Sequence, residues 1–225
     1  MVIRLYDKEG KKYLYNVNKS IGIGSTAIVY KISDDICLKY ISNDCAIDYS
    51  IISKIMNMNL DNFYKIYKLL FNYNGYFSGY LMQYYKDEDV NILTMPTDYT
   101  LDNFYKIYSS IKKINDSKIF IRDLHDGNII MNKDKITIID IDFYDCEYET
   151  SDDNVEKNNY SALMTLFEDI YRNALIKNKS FITSEDLNAI TYLFSPKEDI
   201  NMVYKKIKEY KYPIDYIKCK VRDKQ

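Results

Sequence analysis

Apolar and polar residues alternate in short runs through the first part of the chain, a pattern that predicts β-strands. These runs cover residues 2–6, 13–17, 21–33, 36–41, 63–71 and 76–85. Between the fourth and fifth runs, Ile47, Ile51 and Ile55 recur at helical spacing. We therefore expect a sheet-rich N-terminal part that carries one helix.

Helical spacing dominates the second part of the chain. Thr100 is placed to cap one helix, and another helix is predicted to start near Tyr160. Residues 195–198 read Ser-Pro-Lys-Glu, which predicts a capping box with proline at the first helical position. A strand-rich interlude at 118–143 separates the first two helices. The second part is therefore expected to be mostly helical.

A polar break at 86–91 separates the two parts. A β-rich region followed by a helical one indicates an α+β fold class. We expect one part to cover 1–85 and the other 86–225, with a cleft between them that could hold a ligand.

One internal repeat is present: residues Leu60–Tyr67 recur without change at Leu101–Tyr108. The first copy is predicted to lead into a strand, and the second is predicted to be helical. Two copies are too few for a repeat architecture, which needs at least three stacked units.

Composition and charge narrow the function without defining it. The 225 residues can bury a sizeable core, and a formal net charge of -2 gives no argument for nucleic acid as a partner. No run of apolar residues is long enough to span a membrane. The first residues lack the features of a signal peptide, so a cytoplasmic protein is expected.

The first motif with chemical meaning contains Gly22, Gly24, Ser25 and Val29, in the order G-I-G-S-T-A-I-V. Paired glycines between two strands let backbone N–H groups approach phosphate oxygens closely. A dinucleotide-binding fingerprint would need a helix after the glycines, but a β-type run, 28–32, follows them. The pattern indicates a glycine flap over a phosphate-bearing ligand.

A lysine stands in the next predicted strand. Lys39 lies in the apolar run Ile36–Ile41, where it could be a charge at the sheet edge or a phosphate-binding group. Its place on the strand after the flap favours the phosphate-binding interpretation and is similar to the V-A-I-K strand of protein kinases.

The most informative motif begins at Ile121 and reads I-R-D-L-H-D-G-N-I-I. It contains Asp123, His125 and Asn128, and an apolar strand then leads to Asp140-Ile-Asp142-Phe143. The set resembles the H-R-D-x-x-x-x-N…D-F-G motifs of protein kinases. It also resembles the H-x-D-L-H-x-x-N…I-D-W pattern of aminoglycoside-type phosphotransferases.

The resemblance implies a bilobal protein kinase-like fold and a Mg²⁺-dependent transfer of phosphate from ATP. It implies that Asp123 is the catalytic base and that Lys39 neutralises the α- and β-phosphates. Asn128 and Asp142 would bind Mg²⁺, with Asp140 as the competing ligand. The backbone of 83–85, from Gln83 to Tyr85, would contact adenine.

The chain departs from these motifs at several positions. Tyr144 stands where protein kinases have the last glycine of D-F-G, and no glutamate occurs between Lys39 and Glu88 to pair with that lysine. We expect Asp48 to take the place of the missing glutamate. His125 is expected to contact the transferred phosphate or the acceptor.

Regulation is expected to involve Arg122. The stretch 140–153 is acidic and contains no Lys or Arg, which is compatible with a solvated loop. Alternatively, Glu147 or Glu149 pairs with Arg122 and replaces the phosphate that orders this loop in other kinases. Activity would then be constitutive.

Three functions remain open from the sequence. The flap, the Arg-Asp pair and Asp142-Phe143 favour a Ser/Thr protein kinase. Asp123-Leu-His125 and the absence of an A-P-E motif favour a small-molecule kinase of the aminoglycoside or choline type. The missing glutamate and glycine would suit a nucleotide-binding pseudokinase. The expected partners are ATP and either a protein or a small-molecule acceptor.

Overall fold

The structure is a computed structural model with an α+β fold. It describes residues 1–41, 47–86, 88, 90–142, 144–146, 152–177, 183–193 and 200–222. In these ranges, no helix combines the length and the apolar character that crossing a membrane requires.

Seven strands form one curled antiparallel sheet in the order β2-β1-β6-β7-β5-β4-β3. They are β1 (Val2–Tyr6), β2 (Lys12–Asn16), β3 (Ser20–Ile23), β4 (Ala27–Lys31), β5 (Ile36–Ile41), β6 (Ile66–Phe71) and β7 (Phe77–Gln83). The alternation of buried and exposed residues along β1 and β2 explains why these strands were predictable.

One glycine lets β7 approach β5 closely. Gly79 has φ of +140°, and a Cβ at this position would lie 2.0 Å from the carbonyl oxygen of Lys39. Only glycine fits at such a point of contact. The contact keeps β7 in register with the strand that carries Lys39, where Lys39 pairs with Tyr80.

The helices are α1 (Tyr49–Met56), α2 (Thr97–Asp116), α3 (Asp152–Lys177), α4 (Ser184–Leu193), α5 (Ile200–Ile207) and α6 (Pro213–Arg222). Short strands lie between α2 and α3: β8 (Ile119–Phe120), β9 (Ile129–Met131), β10 (Ile136–Ile138) and β11 (Asp145–Cys146). A 3-10 turn spans Asp126–Asn128 just before β9.

Several helix boundaries differ from those predicted. Thr100 does not cap α2, because the helix begins at Thr97 after Pro96 and Thr100 is buried inside it. The helix α3 begins at Asp152, ahead of the predicted start near Tyr160. Helices α4 and α6 were not predicted, and the predicted capping box at 195–198 lies outside the described residues.

The main hydrophobic core joins the helices to the sheet. In this core α2 packs against α3, and the rings of Phe104 and Phe167 meet edge to face with centroids 4.5 Å apart. Ile51, Ile52 and Ile55 of α1 also point into this core. Residues on the opposite face of the sheet form a second, smaller core.

A linking segment, residues 61–64, ties the sheet to the helical part. Tyr64 N–H donates to the Ile138 carbonyl at 2.9 Å, and Ile138 N–H donates to the Asn62 carbonyl at 2.7 Å. The buried Asn62 side chain donates to Asn103 of α2 and to the Ile136 carbonyl. These bonds hold β10, and the residues that follow it, against the N-terminal sheet.

Candidate functional site

An apolar slot with a volume of about 270 Å³ opens between the N-terminal sheet and β9. Its lining residues come from the glycine hairpin, from the end of β7 and from the segment around β9 and β10. They are Ile21, Gly22, Val29, Cys37, Tyr64, Met82, Gln83, Tyr84, Tyr85, Ile130 and Ile139. Four of the predicted ATP-binding residues, Gly22, Val29, Gln83 and Tyr85, therefore meet in one cavity.

The hairpin between β3 and β4 covers the slot. Gly24 N–H donates to the Ala27 carbonyl at 2.9 Å, which closes the turn and leaves Ser25 exposed at its tip. A Cβ at Gly22 would lie 3.7 Å from Val29, which is an ordinary contact, and Gly22 does not have a positive φ. The protein itself therefore does not require glycine at position 22, whereas a ligand close to the backbone would.

The segment after β7 forms one wall of the slot. Gln83 N–H donates to the Lys65 carbonyl and Tyr84 N–H to the Asp35 carbonyl, each at 2.8 Å. Among the described residues, the Tyr85 N–H has no backbone acceptor of this kind. It is therefore one backbone donor of this segment that a ligand could use.

Lys39 lies beside the slot and meets two carboxylates. It projects from the same face of β5 as Cys37, which lines the slot. Its Nζ lies 2.6 Å from Asp140 Oδ1 and 2.7 Å from Asp142 Oδ2. Asp140 follows Ile139, another slot residue, so the three charges belong to the same two segments that line the cavity.

The two carboxylates differ in their surroundings. The Asp140 side chain is 32% exposed, whereas the Asp142 side chain is fully buried. The Tyr80 hydroxyl donates to Asp142 Oδ1 at 2.8 Å. Burial raises the pKa of the Asp142 carboxyl above its ordinary value, and the neighbouring Lys39 ammonium opposes that rise.

The loop 121–128 places Asp123, His125 and Asn128 together. Asn128 Nδ2 donates to the Asp123 carbonyl at 2.8 Å and approaches its Oδ2 at 3.3 Å. Asp123 has φ of 61°, a left-handed conformation that turns the chain sharply at this residue. Its side chain is half exposed and is therefore accessible to a ligand.

His125 contacts Asp123. Gly127 N–H donates to His125 Nδ1 at 3.0 Å, so the neutral ring carries its proton on Nε2, which lies 3.4 Å from Asp123 Oδ1. A Cβ at Gly127 would lie only 2.7 Å from the His125 ring, so a larger residue at this position would displace the ring. The predicted contact of His125 with phosphate or acceptor stays a prediction.

The loop and the lysine side of the site are directly joined. Ile139 N–H donates to the Asn128 carbonyl at 2.9 Å, which sets the loop against the residue before Asp140. Burial raises the pKa of the Tyr144 phenol, and the charges of Asp140 and Asp123 raise it further. The negative charges of Asp140 and Asp123 therefore both act on the Tyr144 phenol.

Asn159 of α3 supports the loop from below and was missed by the sequence analysis. Its Oδ1 accepts from Ile121 N–H at 2.8 Å, and its Nδ2 donates to the Ile119 carbonyl at 2.9 Å and to Asn115 Oδ1 at 2.6 Å. The residue is fully buried. A polar residue in the apolar pattern of α3 was the available signal.

Asp48 does not contact Lys39, which corrects the expectation that it replaces the missing glutamate. Its carboxylate accepts from Ser50 N–H at 2.8 Å and caps the exposed start of α1. A free N–H at a helix start attracts such a side chain. The acids beside Lys39 come instead from the residues after β10.

Arg122 forms an ion pair with Asp145 at 3.2 Å, and both side chains are about half exposed. The acidic residue that the structure shows next to Arg122 therefore belongs to the predicted acidic stretch. Glu147 and Glu149, the two named candidates, lie outside the described residues, as does Phe143.

The donors present suit Mg²⁺ held jointly with phosphates. In the described part of the chain, no group of three or more His, Cys, Asp or Glu side chains is arranged to hold a metal. Mg²⁺ bound with a nucleotide needs only one or two protein oxygens. Asp140 and the amide oxygen of Asn128 could serve as such ligands, because Asn128 uses its amide nitrogen to bind Asp123.

The sequence matches no protein-family model and no curated protein. Its function is therefore inferred from the geometry of this site.

Proposed function

We propose that the chain is a Mg²⁺-dependent phosphotransferase of the protein kinase-like kind, with lobes at 1–85 and 86–225, that moves the γ-phosphate of ATP to a hydroxyl group. One observation carries the proposal. An apolar slot lies under a glycine hairpin, and the segments that line it also carry a buried lysine and two carboxylates, next to a loop that holds a half-exposed aspartate.

The slot suits adenine because its walls are apolar and its rim offers backbone hydrogen bonds. Val29 and Ile130 would contact the two faces of the base, and the Tyr85 N–H would donate to its edge. The Gly22–Gly24 hairpin would then lie over the phosphates, with Ser25 at its tip.

Charge decides which residues would hold the phosphates and the metal. Lys39 would neutralise the α- and β-phosphates. We assign Asp140 rather than Asp142 as the Mg²⁺ ligand beside Asn128, because Asp140 is accessible and Asp142 is buried under Tyr80 and Lys39. Bound Mg²⁺ would offset the negative charge of the phosphates.

Asp123 is the group proposed to accept or orient the proton of the acceptor hydroxyl. Its carboxylate is exposed, and Asn128 and His125 restrain it on two sides. Restraint of this kind supports catalysis, because phosphoryl transfer depends chiefly on positioning.

A serine or threonine of a protein is our first candidate acceptor. A small-molecule hydroxyl is the second, and the contact of His125 with Asp123 favours it, because that histidine belongs to the D-L-H element of the small-molecule enzymes. A nucleotide-binding pseudokinase would use the slot without the base.

The test is Mg²⁺-dependent ATP binding and transfer of labelled phosphate to generic protein substrates and to a panel of metabolite alcohols, with wild type and Asp123→Asn. We expect wild type to bind and transfer, and Asp123→Asn to bind ATP while transfer falls by at least about a hundredfold. Wild type that does not bind Mg·ATP would refute the proposal. Equal transfer by both proteins would refute the role of Asp123, and binding without transfer by either would favour a pseudokinase.

A further inference from the structure

Lys39 is a buried cation, with a side chain only 7% exposed. A buried charge is costly unless an opposite charge and hydrogen bonds accompany it. In the described residues, its acidic neighbours are Asp140 and Asp142, and both lie in the segment after β10. The question is which of them keeps Lys39 in place once a nucleotide has bound.

Asp142 is the partner that stays. Under the proposed function Asp140 turns to the metal, as its exposed carboxylate allows. Asp142 is closed off from solvent, so an incoming cation cannot reach it without disrupting the packing. Its Oδ1 is already satisfied by Tyr80, and its Oδ2 faces Lys39.

A second tyrosine fixes this arrangement. The Tyr64 and Tyr80 hydroxyls lie 2.7 Å apart. Tyr80 gives its only proton to Asp142, so Tyr64 must be the donor to Tyr80. Burial raises the pKa of both phenols well above the ordinary value, so both remain protonated donors at neutral pH.

The hydrogen-bond chain Tyr64–Tyr80–Asp142 is attached to the N-terminal sheet and not to a helix. Tyr80 lies in β7 opposite Lys39, and Tyr64 belongs to the linking segment that is bonded to Ile138. Helix α1 contains no acidic residue, and Asp48 is occupied with its cap. Movement of α1 would therefore leave the described partners of Lys39 unchanged.

We propose that Asp142, held by the Tyr64–Tyr80 hydrogen-bond chain, is the positioning residue that directs Lys39 toward the phosphates of the nucleotide, so that the site forms without a helix-borne acid. This proposal rests on the proposed function. It adds a role for a buried carboxylate that binds neither metal nor substrate.

A double-mutant cycle tests it. Mg·ATP affinity is measured by calorimetry, and turnover by autophosphorylation or phosphate release, for Lys39→Met, Asp142→Asn and the double variant. We expect each single variant to lose about tenfold or more in affinity, and the double variant to be no worse than Lys39→Met within about twofold. The proposal would be overturned if the affinity loss of the double variant equalled the product of the two single losses. It would also be overturned if Asp142→Asn were as active as wild type.

Two further variants control for folding and for location. Tyr80→Phe removes one hydroxyl and should lower Mg·ATP affinity about threefold in wild type but not in the Lys39→Met background. If Asp142→Asn does not fold, this comparison replaces the double-mutant cycle as the test. Asp48→Asn should bind and turn over like wild type. Wild type that binds no Mg·ATP refutes the proposed function, whereas normal binding without coupling between positions 39 and 142 refutes only this inference.

Discussion

Asp140 and Asp142 share one cation, yet only Asp140 is accessible to a ligand. Lys39 Nζ lies 2.6 Å from Asp140 and 2.7 Å from Asp142, but the side chain of the first is one-third exposed and that of the second is buried. This difference in burial separates a candidate metal ligand from a group that positions the lysine.

Asp140→Asn should make ATP binding insensitive to Mg²⁺ and lower phosphate transfer by at least about a hundredfold. The amide keeps the shape of the side chain but is a much weaker ligand for a hard cation. ATP affinity measured over a range of Mg²⁺ concentrations is the readout. Retained Mg²⁺ dependence in Asp140→Asn, together with its loss in Asp142→Asn, would reverse the assignment.

Gly127→Ala should lower transfer about tenfold and hardly change stability, because the new Cβ displaces the half-exposed His125 ring from Asp123. His125→Ala supplies the matched background. In the His125→Ala background, Gly127→Ala should cause no further decrease in the rate of phosphate transfer. An unchanged effect of Gly127→Ala without the histidine ring would contradict this account.

Asn159→Ala should lower the free energy of unfolding by about 2–3 kcal/mol, because it leaves backbone groups of Ile119 and Ile121 buried and unpaired. Asn158→Ala is the control. That side chain is exposed and, within the described part of the chain, bonds to Asn154 alone, so less than about 0.5 kcal/mol is expected. Chemical denaturation measures the free energy of unfolding of both variants. Equal decreases in the two variants would contradict the role of Asn159 in supporting the loop.

Alkylation of Cys37 should become about tenfold faster per pH unit between pH 7 and 10, because burial raises the pKa of its thiol to about 11 and only the thiolate reacts. The thiolate fraction is therefore far from its maximum over this range. ATP should slow the reaction, since Cys37 lines the slot. Mass spectrometry at this cysteine is the measurement. A rate plateau near pH 8 would contradict the raised pKa of the thiol, and the absence of protection by ATP would contradict the placement of ATP in the slot.

Asp48→Ala should lower the free energy of unfolding by about 0.5–2 kcal/mol through loss of the cap of α1. Transfer measured well below the melting temperature should match wild type. A selective loss of turnover in a fully folded Asp48→Ala protein would restore the link between Asp48 and Lys39.

Much of the N-terminal sheet could be predicted from the sequence, because alternation of apolar residues is a local signal. The glycine hairpin and the neighbouring strand of Lys39 followed from the same pattern. The partner of Lys39 did not, since a contact between β5 and a residue a hundred positions later has no local signature.

The difference in burial between Asp140 and Asp142 could not be predicted from the sequence either. The sequence pattern alone cannot say which of Asp140 and Asp142 is covered. Asp140 adopts φ of 62° in the folded chain, and Tyr80 closes over Asp142 from the sheet. Both features depend on elements that are distant in sequence.

The repeated octapeptide shows where local information ends. Residues Leu60–Tyr67 and Leu101–Tyr108 are identical, and their contrasting predictions, loop to strand and helix, are confirmed. The residues around each copy suffice for that distinction. The two copies also meet: the side chain of Asn62, at φ of 59°, donates to Asn103, its counterpart in α2.

Apolar periodicity and the backbone preferences of a few residues were enough to predict the N-terminal strands, the glycine hairpin and the polar segment 121–128. Tertiary structure alone decided that two identical segments bind each other and that the acids beside Lys39 come from after β10. The physical reason is that such contacts gain their free energy from burial and hydrogen bonding between distant segments, which exist only after the chain has packed.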